Sequence, residues 1–288
     1  MKVTFISLAS GSSGNCYYLG TKEYGILIDA GIGVRTIRKR LKEADISLDV
    51  IRAVFITHDH SDHVKGVGYL GEKLNIPVYA TTLVHKGINE NYRIRQKLYS
   101  SVRYLEKETS VRLEDFCITP FEVPHDSIDN VGYCIEIGEI VFSFLIDMGE
   151  ITPIAAQYIR KANYLIVEAN YDEEMLRTGS YGSKLKARID GKTGHLSNIA
   201  IADFLAENTT GILRHVWLCH LSKNNNTPKL AYETVGKRLR ERGLVLGKDI
   251  RLDVLKRSTV SGPYEMESSR ENCVRIVEEA CLQLAFDM

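Results

Sequence analysis

The segment from residue 58 to residue 63 limits what this chain can form more than any other feature. It reads HDHSDH, so three histidines and two aspartates lie within six residues. The apolar run 53–56 precedes it, which predicts that the cluster follows the end of a β-strand. Burying these groups without partners would be unfavourable, whereas imidazole nitrogens and carboxylate oxygens suit zinc, manganese or iron. The cluster therefore predicts a metal site; the alternative is a solvated loop rich in His and Asp.

Composition bounds the size of the core and the kind of partner. The chain has 288 residues, 44% of them apolar, which is enough for a large core and near the upper size of one undivided domain. Lys plus Arg and Asp plus Glu each number 37, so the formal net charge is zero. A protein that coats nucleic acid non-specifically is usually basic. Any polyanion must therefore bind through a local patch or through bound metal.

The chain carries no signal of export. Residues 1–10 lack the long apolar core of a signal peptide, and no apolar run approaches the roughly 18 residues needed to cross a bilayer. Six cysteines are scattered without CxxC spacing, as expected of small buried side chains in a reducing compartment. We expect a cytoplasmic protein that needs neither a membrane nor an obligate protein partner.

Short β-like runs alternate with helical segments along the chain, with no repeat and no Pro- or Ser-rich linker. One helix is predicted at 34–43, and another begins after Thr227 as N-cap and ends at Gly243. A stripe of apolar residues near the C-terminus predicts a further helix. This pattern indicates one layered α/β domain over residues 1–288, with residues 265–288 as a docked C-terminal helix.

The HxHxDH pattern after a strand resembles the signature of the metallo-β-lactamase superfamily. The resemblance implies an αββα sandwich, two mixed β-sheets flanked by helices, with two metals at one end. In that family a lone His, a lone Asp and a final His follow, each at a strand end. This chain offers His125 in EVPHD, Asp147 in SFLIDMG and His220 in VWLCHLS. The resemblance implies one metal on His58, His60 and His125, and a second on Asp62, His63 and His220, with Asp147 bridging them.

Two further residues narrow the chemistry. Glu168 lies in LIVEANYD and His195 in GKTGHLSN, just before a helix predicted to begin near Ser197. Nucleases of the superfamily that are similar to the tRNA 3′-end processing enzymes carry a Glu and a His in such segments. His195 is suited to protonate a leaving oxygen near neutral pH, and Glu168 could orient it. In the alternative interpretation, His195 caps the helix and Glu168 is a surface charge.

Several polar residues are candidates for contact with phosphates. The stretch 175–194 carries five cations against one aspartate, which would suit a mobile basic loop beside the metals, although most such runs are simply solvated. The turn 10–15 is rich in Gly and Ser, and its amides and hydroxyls could bind a phosphate, although such a turn is usually only a hairpin. The substrate-binding candidates are Ser12, Asn15, Lys184, Lys186, Arg188 and Asn225.

Five motifs together (LASGSSGNCYYL, THDHSDH, VEANYD, GHLSN and HLSKNNNTP) resemble the YycJ (WalJ) group of bacterial proteins with the metallo-β-lactamase fold. This resemblance implies a metal-dependent nuclease, a 5′-to-3′ exonuclease on DNA, linked to DNA repair or to cell-wall and division control.

The resulting hypothesis is a phosphodiesterase with two divalent ions, zinc first and manganese or iron as alternatives. Water activated between the metals attacks phosphorus, Asp62 positions that water, and His195, oriented by Glu168, protonates the leaving oxygen. A rival enzyme would use the same metals on a small cyclic phosphodiester or a thioester. A third possibility is a regulatory module that binds metals without turnover.

Overall fold

The computed structural model describes residues 1–267. Within them, two seven-stranded mixed β-sheets pack face to face, and helices cover both outer faces. This is the αββα arrangement expected from the sequence. The strands are β1 (Lys2–Ala9), β2 (Cys16–Gly20), β3 (Gly25–Ile28), β4 (Ile51–Phe55), β5 (Val78–Thr81), β6 (Val102–Leu105), β7 (Val111–Leu113), β8 (Phe116–Glu122), β9 (Val131–Ile137), β10 (Ile140–Leu145), β11 (Tyr164–Glu168), β12 (His215–Cys219), β13 (Arg251–Val254) and β14 (Ser261–Glu267).

The helices lie mainly between strands of the parallel part of each sheet. They are α1 (Val34–Lys42), α2 (Ser61–Val64), α3 (Val67–Leu74), α4 (Thr82–Glu90), α5 (Pro153–Lys161), α6 (Glu173–Thr178), α7 (Ser183–Ile189), α8 (Asn198–Asn208) and α9 (Pro228–Glu241), with a short 3₁₀ turn at Leu48–Val50.

The two sheets are built alike. The first has the order β14-β1-β2-β3-β4-β5-β6, antiparallel from β14 to β3 and parallel from β3 to β6. The second has the order β13-β12-β11-β10-β9-β8-β7, parallel from β13 to β10 and antiparallel beyond. Parallel strands end at the same edge of a sheet. The segments after β3 and β4 and those after β10, β11 and β12 therefore converge, and they carry the polar residues described below.

Aromatic side chains fill the space between the sheets. Phe5 and Trp217 are fully buried with ring centroids 4.8 Å apart, and Phe144 packs edge-on to Phe5 at 5.9 Å. Large rings bury much apolar area and interlock at these distances. The inner core thereby joins β1 of the first sheet to β10 and β12 of the second, and it holds the polar edge in a fixed position.

The predicted elements can be compared with those observed. The first helix spans Val34–Lys42, and α9 begins after Thr227, whose hydroxyl accepts from the backbone N–H of Leu230. The loop expected at 175–194 instead contains most of α6 and all of α7, and residues 265–267 form a strand rather than a helix. Residues 268–288, with the rest of the predicted C-terminal helix, lie outside the described residues. The single-domain organisation stays a prediction.

None of the helices in residues 1–267 combines the length and the apolar character that crossing a bilayer requires.

Candidate metal centre and active site

The HxHxDH segment supplies four donors through a change of backbone conformation. After β4 the chain bends at Thr57 and is extended at His60 (φ −63°, ψ 144°), and the donor nitrogens of His58 and His60 lie in one group. The single turn of α2 then begins at Ser61 and brings Asp62 and His63 round to a second position. One short segment can therefore serve two neighbouring sites.

Three donors from separate strand ends complete the cluster. His125 follows β8, Asp147 follows β10 and His220 follows β12. All three are at most 8% exposed. His220 has a left-handed backbone (φ 52°), a conformation that costs a non-glycine residue energy and that is common at functional sites. Its backbone N–H donates to Oγ of Ser10 over 3.1 Å, which ties it to the first sheet.

Two groups of donors lie close enough to hold one ion each. Within each group the donor atoms lie within 4.8 Å of one another; the groups are His58, His60, His125 and Asp147, and Asp62, His63 and His220. Asp147 lies between them. Its Oδ2 is 3.7 Å from Nε2 of His58, 3.4 Å from Nε2 of His125 and 3.5 Å from Nε2 of His63. The structure thus brings the predicted metal ligands together; that they hold two ions bridged by Asp147 stays a prediction.

Neighbouring groups fix the orientation of the imidazoles. Nδ1 of His63 donates to Oδ2 of Asp29 over 2.7 Å, and Nδ1 of His125 donates to the carbonyl of Gly194 over 2.8 Å. Such partners orient ligating imidazoles and raise their basicity. The Nε2 atoms of His58, His125 and His220 are buried without a hydrogen-bond partner among the described residues. Orphaned nitrogens of this kind, facing carboxylates, fit a divalent cation.

The electrostatics of the cluster agree with that fit. Burial lowers the pKa of His63, but the carboxylates of Asp147 and Asp29 outweigh it and raise the value to about 10. Burial raises the pKa of Asp147, yet His220 and His63 hold it well below its usual range. Burial also lowers the pKa of His58 well below normal. Buried carboxylates thus create a negative field at this position, which favours the binding of a cation such as a divalent metal ion.

Glu168 and His195 form a pair at the border of the cluster. Nδ1 of His195 donates to Oε1 of Glu168 over 2.7 Å, and Nδ1 of His220 lies 3.0 Å from the same oxygen. Glu168 is fully buried, so it is not a surface charge. The cap of α8 is Ser197, whose hydroxyl accepts from the N–H of Ala200, so His195 is not the capping residue. The two alternative interpretations are therefore wrong, while the catalytic roles of His195 and Glu168 stay a prediction.

His195 is the more accessible member of this pair. Its side chain is 18% exposed, whereas that of Glu168 is fully buried. Burial lowers the pKa of His195, but the Glu168 carboxylate outweighs it and raises the value. His195 can also form a donor group with Asp147 and His220. An imidazole held in this way can deliver a proton to a ligand at the metal centre.

Two predicted substrate contacts are contradicted by burial. Asn15 is fully buried; its Oδ1 accepts from the N–H of Gly11 and its Nδ2 lies 2.9 Å from Nε2 of His63. Asn225 is 1% exposed, with its backbone carbonyl accepting from the N–H of Asp172. Neither side chain is available to a substrate, because the packing of the turn and of the 222–226 loop encloses it. Ser12, by contrast, is exposed at the tip of its turn.

The predicted basic residues lie on α7. Lys184 and Arg188 are exposed, and Lys186 is partly buried with its Nζ donating to the carbonyl of Arg177 over 2.7 Å. Arg188 forms an ion pair with Asp126. Asp126 lies 3.5 Å from Nε2 of His125, so Arg188 reaches the border of the metal centre. The predicted cations thus lie on one helix, where Arg188 is already paired, and their contact with phosphates stays a prediction.

Asp29 is the main residue of the site that the sequence did not reveal. It follows β3 with a left-handed backbone (φ 58°) and accepts from the N–H of Thr57 as well as from His63. The run GILIDAG reads as an apolar strand. One signal could have identified Asp29: it is a carboxylate directly after an apolar strand, at the same sheet edge as the HxHxDH segment. Asp126, next to His125, was missed in the same way.

Comparison with known proteins identifies relatives of this chain. Residues 24–220 match the family model described as a Beta-lactamase superfamily domain. The chain is 32% identical over 251 residues to Exodeoxyribonuclease YycJ of Bacillus anthracis, covering 86% of this chain and 93% of that one. It is 35% identical over 246 residues to Exodeoxyribonuclease WalJ of Streptococcus pneumoniae, covering 85% and 91%.

A solved structure supports the fold. The metallo-β-lactamase fold protein YhfI from Bacillus subtilis superposes with a TM-score of 0.66 at 15% identity, covering 92% of this chain and all of that one.

Proposed function

Because the chain belongs to the metallo-β-lactamase superfamily and, within it, to the family of YycJ and WalJ, we propose that it is a metal-dependent DNA exonuclease. One observation carries the proposal. A chain with two adjoining groups of metal donors aligns over most of its length with relatives named exodeoxyribonucleases. We further propose digestion in the 5′-to-3′ direction and a role in DNA repair or in cell-wall and division control.

The metal ligands are assigned by proximity. One ion would be held by His58, His60 and His125, and the other by Asp62, His63 and His220, with Asp147 shared. Zinc is the first choice and manganese or iron the next, because all donors are imidazole nitrogens or carboxylate oxygens.

Each side chain near the ions has a distinct task. Bound ions would lower the pKa of a water molecule and offset negative charge on a phosphate. Asp62 is 22% exposed and its Oδ2 lies 3.6 Å from Nε2 of His220, so it can orient that water from the open side. His195 donates a proton to the departing oxygen, and Glu168 holds its ring through Nδ1, which leaves Nε2 to face the substrate.

Phosphate contacts are proposed for the exposed residues around this centre, Ser12, Lys184 and Arg188, with Lys186 behind them. Arg188 would exchange part of its pairing with Asp126 for a phosphate, since guanidinium binds both groups through similar paired hydrogen bonds. A cytoplasmic location is proposed as well; a DNA substrate and the buried free thiols of Cys16, Cys134 and Cys219 support it.

The test is digestion of double-stranded DNA labelled at either end by metal-loaded protein, with Asp62→Ala as control. Release of nucleotides by the parent protein, lost in the variant, would support the proposal, and the label released first gives the polarity. No release with zinc, manganese or iron would refute it and would favour a small phosphodiester or a thioester as substrate.

A further inference from the structure

Residues 91–97, between α4 and β6, form a wall beside the metal centre. Nδ2 of Asn91 donates to the backbone carbonyl of Asp59 over 3.2 Å, and Nη1 of Arg93 donates to Oγ of Ser61 over 3.3 Å. Asp59 and Ser61 are the neighbours of His60 in the chain. The wall is therefore attached on both sides of a proposed metal ligand.

The wall is held in place from behind. A Cβ at Gly68 of α3 would lie 1.9 Å from the carbonyl oxygen of Gln96, so only glycine lets this helix approach so closely. Ile94 is 4% exposed, and Nζ of Lys97 donates to the carbonyl of Asn91 over 2.8 Å. The outward side chains are thus presented by a fixed backbone.

Those outward side chains are aromatic and cationic. Tyr92 is 83% exposed, and the guanidinium carbon of Arg93 lies 5.5 Å from the centre of its ring. Residues 91–97 carry three cations and no carboxylate. An exposed ring with an adjacent arginine suits a ligand that has flat faces and negative charges, because bases stack on aromatic rings and phosphates attract guanidinium.

We propose that Tyr92 and Arg93 form the surface on which an unpaired nucleic-acid strand lies as it enters the metal centre. A base stacks on Tyr92 and a neighbouring phosphate binds Arg93. The ring can stack only on a base whose face is free, so the strand is single or frayed at the end that is cut. This inference rests on the proposed function, since it specifies the form of the nucleic acid.

The test uses single-stranded DNA with phosphorothioate linkages that resist cutting and with 2-aminopurine at each of the first four positions in turn. Metal-loaded parent protein should quench the 2-aminopurine fluorescence at one of these positions. Tyr92→Ala should remove the quenching and weaken binding about tenfold, whereas Tyr92→Phe should retain both. Arg93→Ala should reduce the slope of log affinity against log salt by roughly one contact. The matched control is Tyr104→Ala, because Tyr104 is 66% exposed but packs on the ring of His85 instead.

Either of two results would overturn the inference. One is that Tyr92→Ala quenches the fluorescence and binds DNA as the parent does. The other is that Tyr104→Ala loses as much quenching and affinity as Tyr92→Ala. The proposed function is judged separately by nucleotide release from ordinary DNA. If nucleotides are released and neither quenching nor binding depends on Tyr92, the nuclease proposal stands and the stacking surface is refuted. If quenching depends on Tyr92 but no nucleotides are released, the stacking surface stands and the nuclease proposal is refuted.

Discussion

Oδ2 of Asp29 accepts a hydrogen bond from Nδ1 of His63 over 2.7 Å, although 34 positions separate the two residues in the chain. The contact joins the end of β3 to α2 and fixes the imidazole so that its Nε2 faces Asp62 and Asp147, 3.7 and 3.5 Å away. A fully buried carboxylate behind a ligating imidazole holds the ring and makes it a stronger donor.

Replacing Asp29 with Asn should therefore weaken metal binding without removing a ligand. We expect the affinity for one of the two ions to fall about 10- to 100-fold. Competition with a chromogenic chelator measures this. Asp59→Asn is the control, since Asp59 lies in the HxHxDH segment with His63 but belongs to neither group of donors. Equal affinity in Asp29→Asn and parent would contradict the role given to Asp29.

The HxHxDH segment was predictable because its donors are adjacent in sequence and need only one change of backbone conformation. His125, Asp147 and His220 come from separate strand ends, and only the family resemblance selected them. Asp29 was not identified from the sequence because its role depends on His63, which lies 34 positions away. The errors at Asn15 and Asn225 have the same origin, since the exposure of a polar side chain in a loop is decided by packing between distant segments.

The basic stretch 175–194 was misjudged for a local reason. Gly179 and Gly182 interrupt it, and its high charge hides the short apolar face of Leu176 and Ile189 that packs with Tyr171. Helices of six and seven residues carry too few periodic positions to be recognised from sequence. The layered α/β character, by contrast, followed from the mixture of strand-like and helical runs without a break, whereas the αββα sandwich came from the family resemblance.

Separate substitutions should empty the two metal sites one at a time. His60→Ala removes a donor of the first group and Asp62→Ala one of the second, so each variant should retain about one of the two ions. Asp147→Ala should lower the occupancy of both sites, because its carboxylate lies between them. Elemental analysis of purified variants, with circular dichroism to verify folding, measures the outcome. Full occupancy of both sites in Asp147→Ala would refute the shared position.

Glu72 should make the stability of the segment 99–101, which precedes β6, depend on pH. Its carboxylate accepts from the backbone N–H groups of Tyr99, Ser100 and Ser101, and these bonds, with the two serine hydroxyls, lower its pKa to about 2. A folded pKa below the unfolded one stabilises the native state above the unfolded value. That stabilisation is lost as the pH falls from about 4.5 towards 2.

Comparing the free energy of unfolding of the parent and of Glu72→Gln separates the contribution of Glu72 from those of the other carboxylates. Because the group is close to solvent, we expect a difference of about 1 kcal/mol in the free energy of unfolding at pH 7. Urea unfolding at several pH values should show that difference shrinking as the pH approaches 2. A difference independent of pH would mean that packing, not the charge of Glu72, provides the stabilisation.

His195→Ala should lower kcat about 100- to 10,000-fold with little change in KM, because its imidazole acts on the departing oxygen. Glu168→Gln should have a smaller effect in the same direction. The glutamine can still accept from the backbone N–H of Met148, which lies 2.8 Å from Oε2, but it carries no charge to hold the His195 ring. The double variant should be no worse than His195→Ala, since the two residues act as one unit. Steady-state kinetics on labelled DNA, with metal content measured on each sample, tests all three. A rise in KM alone for His195→Ala would instead assign that residue to substrate binding.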